Sequence, residues 1–173
     1  MAASGIQLRL GNIVDSGADC LVNAANSSLI RGGGVDGAIH RAAGPELQVA
    51  LGRLHPQGCP TGQAVATPAF QIPVRFLIHA VGPVWRGGGE QEEDLLRSAY
   101  RSAFELAAQL GCRSVAAPAI STGIYSFPLP LAAPIAVAEA GRALSAGTEL
   151  ETVEFVLFDE PARRSFAEAM RRE

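Results

Sequence analysis

Short apolar runs alternate with helix-length amphipathic stretches along most of this chain, and that alternation constrains its fold more than any other feature. Residues 6–10 alternate apolar and polar side chains with period two, as a half-buried strand does. Residues 19–24 are nearly all apolar, the pattern of a central strand covered on both faces. Further strands are predicted over 63–67, 75–81, 114–119 and 152–158. Helices are predicted over 36–43, 46–54, 91–110 and 131–144, and a last one begins after Asp159, a residue type that caps helices. The third helix would present Leu95, Ala99, Ala103, Leu106 and Leu110 on one face, and the last Ala162, Phe166, Ala169 and Met170. Strands alternating with helices imply a layered α/β domain with a largely parallel sheet. Ligands of such sheets bind beyond the carboxyl ends of the strands.

Three segments occupy such ends. The first runs from Asn23 to Gly44, NAANSSLIRGGGVDGAIHRAAG. Its asparagines Asn23 and Asn26 close a strand, and Gly32, Gly33 and Gly34 precede Asp36 and a helix. Glycines opening a helix expose backbone N–H groups at the positive end of the helix dipole, which suits a phosphate. Amides and a carboxylate beside them suit a sugar. The second segment, ISTGIYSF at 120–127, sets Gly123 among small hydroxyl residues and can present N–H groups to another phosphate. The third is Phe158-Asp159.

Each of these residues has a plainer reading. The glycines could form a flexible surface loop. Asp36 could be an ordinary first-turn carboxylate, worth a few tenths of a kcal/mol to the helix at roughly the scale of a dipole interaction. Asn23 and Asn26 could satisfy backbone where the strand ends, and His40, one turn after Asp36, could be a packing histidine. His55 and His79 lack partners in sequence and read as structural.

Several activities fall away. Gly32-x-Gly34-x-x-Gly37 matches a dinucleotide fingerprint, but it lies several residues past its strand, and no acid follows where a ribose-binding carboxylate should fall. All fourteen basic residues are arginine, so Schiff-base lysine chemistry and a P-loop lysine are absent. Ser121-Thr122-Gly123 is not a nucleophile elbow. A second triplet, Gly87–Gly89, is followed by Glu90, Glu92, Glu93 and Asp94, which would repel a phosphate, and it reads as a solvated loop.

The three cysteines are widely spaced and form no metal-binding pattern. No metal or organic cofactor is expected. A net charge of −3 without a basic run argues against a nucleic-acid footprint. No apolar run approaches the ~20 residues of a membrane span, and residues 1–10 lack a secretory pattern. The 173 residues are expected to form one cytoplasmic domain over their whole length.

Together these residues resemble the macrodomain family, most closely its MacroD-type hydrolase branch. The matching segments are GNI at 11–13, NAANSSL at 23–29, GGGVDGAIHRAAG at 32–44, IHAVGPVW at 78–85, STGIYSFP at 121–128 and FVLFDE at 155–160. The resemblance implies a three-layer α/β/α sandwich with a mixed, mostly parallel central sheet, binding ADP-ribose across the strand ends. By that analogy Asn12 and Ile13 meet the adenine edge and Phe158 its face. Gly32, Gly33, Gly34 and Val35 embrace the diphosphate from one side, and Ser121, Thr122, Gly123, Ile124 and Tyr125 from the other. Ala25 also lines the ligand site, while Asn26 holds the distal ribose and Tyr125 packs near it. Asp36 or a phosphate of the substrate orients the water, and Asn23, His40, Ser126 and Phe127 support the site. The implied activity is hydrolysis of mono-ADP-ribosyl esters on protein carboxylates, or of O-acetyl-ADP-ribose; the alternative is a non-catalytic ADP-ribose reader.

Three positions depart from the family pattern. Asparagine stands at 12, where an aspartate usually accepts from the adenine amine. Arg31 replaces the first of four glycines, stiffening the loop or adding a cation near the diphosphate. Ser126 replaces a glycine, which restricts the backbone there.

Overall fold

A computed structural model describes residues 5–173. Six strands, β1 (Gly5–Leu10), β2 (Cys20–Ala25), β3 (Ala64–Thr67), β4 (Phe76–Val81), β5 (Ser114–Ala117) and β6 (Thr152–Leu157), form one sheet in the order β1-β6-β5-β2-β4-β3. Every neighbouring pair is parallel except β3–β4, which is antiparallel at the sheet edge. Five helices accompany them: α1 (Gly34–Ala43), α2 (Glu46–Leu54), α3 (Glu92–Gln109), α4 (Leu129–Leu144) and, after the last strand, α5 (Glu160–Arg171). This is the mixed, mostly parallel α/β architecture expected from the sequence.

Alternate residues of each strand enter different cores, because successive side chains point to opposite faces. Cys20, Val22, Ile78, Ala80, Val115, Ala117, Val153 and Phe155 pack under α3, α4 and α5. Leu21, Leu77, Val81, Ala116 and Val156 pack under α1 and α2 with Ile39, Leu47 and Leu51. Both sheet faces are therefore covered, and the strand ends are the open surface.

Element boundaries shift for identifiable reasons. β5 stops before Pro118, which has no N–H for a ladder. Helix α4 starts at Leu129, two residues before its expected position, because Pro130 fits the first helical turn. The buried face of α3 differs from the expected one: it is Leu96, Ala99, Tyr100, Ala103, Phe104 and Ala107, while Leu95, Leu106 and Leu110 lie at its margin. Tyr100 and Phe104 pack on Phe155 at 6.1 and 6.3 Å between ring centroids, and these aromatics turn the helix. Asp159 caps α5 as expected, accepting from the Ala162 N–H at 3.0 Å. No helix among the described residues is long and apolar enough to cross a membrane.

Candidate functional site

The carboxyl ends of the three adjacent strands β6, β5 and β2 open into a cleft of ≈ 500 Å³, a size suited to a drug- or nucleotide-sized ligand. One wall is Asn26, Gly32–Gly34, Val35 and Asp36, and the facing wall is the loop from Pro118 to Tyr125. Phe158 and Asp159 close the β6 end. Phe158 is 84% exposed, an aromatic face left open beside the cleft.

Helix α1 begins at Gly34, two residues ahead of the predicted start, and Gly33 is its N-cap with no capping side chain. The first-turn N–H groups thus stand at the cleft wall without a side-chain acceptor, at the positive end of the dipole. Gly34 holds φ +58, which glycine tolerates freely. Gly44 ends the helix at φ +93, its N–H on the carbonyl of His40.

Asn26 and Asp36 flank Gly32. A Cβ there would lie 3.5 Å from Asp36 Oδ2 and 3.7 Å from Asn26 Nδ2, in ordinary van der Waals contact with both. Asp36 is buried, and its two oxygens are tied: Oδ2 accepts from the Gly32 N–H at 2.5 Å, and Oδ1 from Asn23 Nδ2 at 2.7 Å. Asn26 closes its own loop, with Nδ2 donating to the Ile30 carbonyl at 2.7 Å and Oδ1 accepting from Ser28 Oγ at 2.7 Å. Gln48 on α2 bridges the same loop, donating to Leu29 O and accepting from the Arg31 N–H. Sequence reasoning missed Gln48, which carries no local signal.

Behind Asp36 runs a buried polar chain. Asn23 Nδ2 also donates to His79 Nδ1 at 3.1 Å, and His79 Nε2 lies 2.9 Å from Thr67 Oγ1, which itself donates to Pro68 O. One assignment satisfies all of these bonds: Nδ1 accepts, and Nε2–H donates to Thr67. His79 is thus neutral, and burial pushes its pKa down to about 3, with the neighbouring His40 and His55 adding to the effect. It is a partner of the Asn23–Asp36 pair, a role its position in the sequence did not reveal. His40 Nε2 sits 3.5 Å from Asp36 Oδ1, and burial lowers its pKa against the pull of that carboxylate. His55 bonds the Ala66 carbonyl, away from the cleft.

The facing loop is braced from α3. Tyr100 Oη donates to Pro118 O at 2.8 Å and accepts from the Ile120 N–H at 2.9 Å. Beyond it, Ser121 and Ser126 hold φ +68 and +61, left-handed values uncommon for residues with a Cβ. Ser126 therefore occupies a backbone position that favours glycine. Phe127 is buried against Trp85, with ring centroids 4.8 Å apart. Ser126 and Phe127 lie outside the cleft lining, as do Asn23 and His40.

Asn12 and Ile13 also lie outside that lining. Ile13 is core, and Asn12 caps the short 3-10 turn Ile13–Asp15, its Oδ1 accepting from the Val14 N–H at 3.2 Å. They sit beside the β6 end, where the Gly11 N–H meets the Leu157 carbonyl.

The second glycine triplet is not simply a solvated loop. The Glu92 carboxylate, only 2% exposed, accepts from the N–H groups of Arg86, Gly88 and Glu90 at 2.9, 2.8 and 2.6 Å. Burial pulls its pKa upward, but these backbone donors outweigh that and hold it down at about 2. The triplet does wrap an anion, and the anion is the chain's own.

A mostly parallel sheet in an α/β domain, with an open, amide-lined cleft at its strand ends and an aromatic rim, defines a nucleotide-type ligand-binding domain. Residues 22–136 match the Macro domain family. The chain is 48% identical to the O-acetyl-ADP-ribose deacetylase of Escherichia fergusonii over 165 residues, covering 94% of this chain and 93% of that protein. It also superposes on the Oceanobacillus iheyensis macrodomain with ADP at a TM-score of 0.88, with 40% identity and coverage of 95% and 89%. A Trypanosoma brucei macrodomain in complex with ADP-ribose gives 0.87 at 39% identity, covering 95% of this chain and 68% of that one. The chain belongs to the macrodomain family.

Proposed function

We propose that this macrodomain, as one domain over its whole length, binds ADP-ribose and hydrolyses its acyl esters, O-acetyl-ADP-ribose and mono-ADP-ribosyl groups on protein carboxylates. The observation that carries this reading is Asp36 lining the cleft beside Asn26, its carboxylate oriented by Asn23 and Gly32. The names of the similar proteins support the ligand and the first substrate.

In this reading the free N–H groups at the start of α1 and the Ser121–Tyr125 loop hold the diphosphate. Asn26 meets the distal ribose, and Phe158 covers the adenine. Water adds to the acyl carbon, the ester C–O bond breaks, and a ribose hydroxyl leaves with the proton. Asp36 orients that water and accepts its proton, while the cleft amides stabilise developing negative charge.

One observation favours the second reading, a non-catalytic reader: both oxygens of Asp36 are already engaged in bracing its loop. Incubation with O-acetyl-ADP-ribose and with a glutamate-linked mono-ADP-ribosylated protein separates the two. Ester cleavage that Asp36→Ala abolishes, with ADP-ribose binding retained, supports the hydrolase. Tight ADP-ribose binding without release of acetate or of ADP-ribose assigns the reader.

A further inference from the structure

We propose that Glu92 is a positioning residue for the ligand cleft: its buried carboxylate gathers residues 86–90 and thereby seats Trp85 against the loop that carries Tyr125. This rests on the proposed reading of the cleft as an ADP-ribose site.

The loop has little else to hold it. Gly87 and Gly88 stand at φ +97 and +92, and residues 86–90 are all exposed. Ordering three consecutive glycines is entropically costly. Among the described residues, the only side-chain ion pair within the loop, Arg86–Glu90, is solvent-exposed at 3.7 Å and contributes little. The three N–H groups that converge on Glu92 make part-buried, charge-assisted bonds, and bonds to a charged acceptor are the strong ones.

The connection to the cleft is continuous. A Cβ on Gly88 would meet the Trp85 ring at 3.0 Å, so the gathered loop packs directly against the indole. The Trp85 N–H donates to the Tyr125 carbonyl at 2.8 Å, and its ring packs on Phe127. The Phe127 N–H closes back on the Ser121 carbonyl at 2.9 Å. Ser121 and Ser126 sit in a left-handed conformation that persists only where the surroundings over-determine it. Trp85 is one of those surroundings, and Glu92 holds Trp85 from behind. The acid therefore acts through the tryptophan and touches no part of the cleft lining.

Trp85 is the chain's single tryptophan, so its emission reports this junction alone. Glu92→Gln preserves shape but replaces one acceptor oxygen with a donor. We expect acrylamide to quench Trp85 more readily in this variant. The ADP-ribose Kd should weaken about tenfold, corresponding to roughly 1.4 kcal/mol. KM for O-acetyl-ADP-ribose should rise in parallel with kcat within about twofold, the pattern of lost uniform binding. Greater quenching with wild-type Kd and KM would overturn the proposal, as would unchanged quenching or a loss confined to kcat. If Glu92→Gln fails to fold, Gly88→Ala disturbs the same junction from the indole side, with the same expected and overturning results. A wild-type protein that does not bind ADP-ribose overturns the underlying reading, and this inference with it, before any variant is compared.

Discussion

Asn23 and Asp36 are joined side chain to side chain at 2.7 Å inside the protein, one within the central strand β2 and the other in the first turn of α1. The asparagine can donate in this direction because its second N–H is taken by His79 Nδ1, which fixes the amide's orientation. The acid at the cleft wall is therefore aimed by the sheet behind it.

Replacing Asn23 by alanine removes one donor from Asp36 and one from His79 in a space closed to water. Buried groups left short of a partner cost about 1–3 kcal/mol each, so a loss of roughly 2–4 kcal/mol in urea unfolding is expected. Ester hydrolysis should fall at least about tenfold in kcat, since a misaimed group loses transition-state stabilisation. Wild-type turnover in Asn23→Ala would mean that the aim of Asp36 is immaterial.

Acidification should destabilise the fold through His79. Its folded pKa is about 3, set first by burial, against 6.5 for a solvated imidazole. Below pH 6.5 the unfolded chain takes up a proton that the folded chain refuses. This contribution to stability is complete above pH 6.5 and declines towards pH 3, by about 1.4 kcal/mol per unit. His40 is also lowered, chiefly by its own burial, and adds a slope of the same sign. Urea unfolding between pH 7 and roughly 5.5, above the unfolded-state titration of Glu92 and Glu160 at 4.5, should show uptake approaching one to two protons on unfolding. A flat profile would mean that neither histidine is held neutral.

Much of this was legible in the sequence because it is encoded locally. The strand periods, the glycine stop at Gly44 and the cap at Asp159 depend on a few adjacent residues, and they lie where expected. Partnerships between distant segments left no such trace. His79 read as structural because Asn23 and Thr67 lie 56 and 12 residues away from it. Gln48 and Tyr100 brace the two walls of the cleft from helices whose sequences show only amphipathic packing. From its place in the sequence Glu92 would only repel phosphate from a helix start; turned back onto the preceding amides, it occupies that position itself.

Ser126 offers a test of stored strain. It sits at φ +61, and its own hydroxyl gives only a long contact to the Ile124 carbonyl at 3.4 Å. Ser126→Gly removes the Cβ conflict while making the unfolded chain more flexible. The left-handed penalty of roughly 1–2 kcal/mol exceeds that entropic loss, so a net gain of about 0.5 kcal/mol is expected. Thermal unfolding checks it; a lower Tm would mean that the surrounding bonds have already relaxed the strain.

Under the proposed reading, Asn12 faces the adenine edge from just beyond the cleft lining. Its Oδ1 accepts from the Val14 N–H and keeps a second lone pair for the adenine amine, but without charge assistance, while Nδ2, a donor, is the other polar group on the side chain. The amine of adenine is itself a donor and gains nothing from that group. Asn12→Asp keeps one oxygen as the cap and turns the other into a charged acceptor, the stronger kind. ADP-ribose should then bind about three- to tenfold more tightly by calorimetry, roughly 0.7–1.4 kcal/mol. The hypoxanthine analogue, with a carbonyl in place of the amine, should bind no better and should lose affinity to the added negative charge. Equal gains for both ligands would trace the effect to general electrostatics, and no gain for either would place the reading of adenine elsewhere in the cleft.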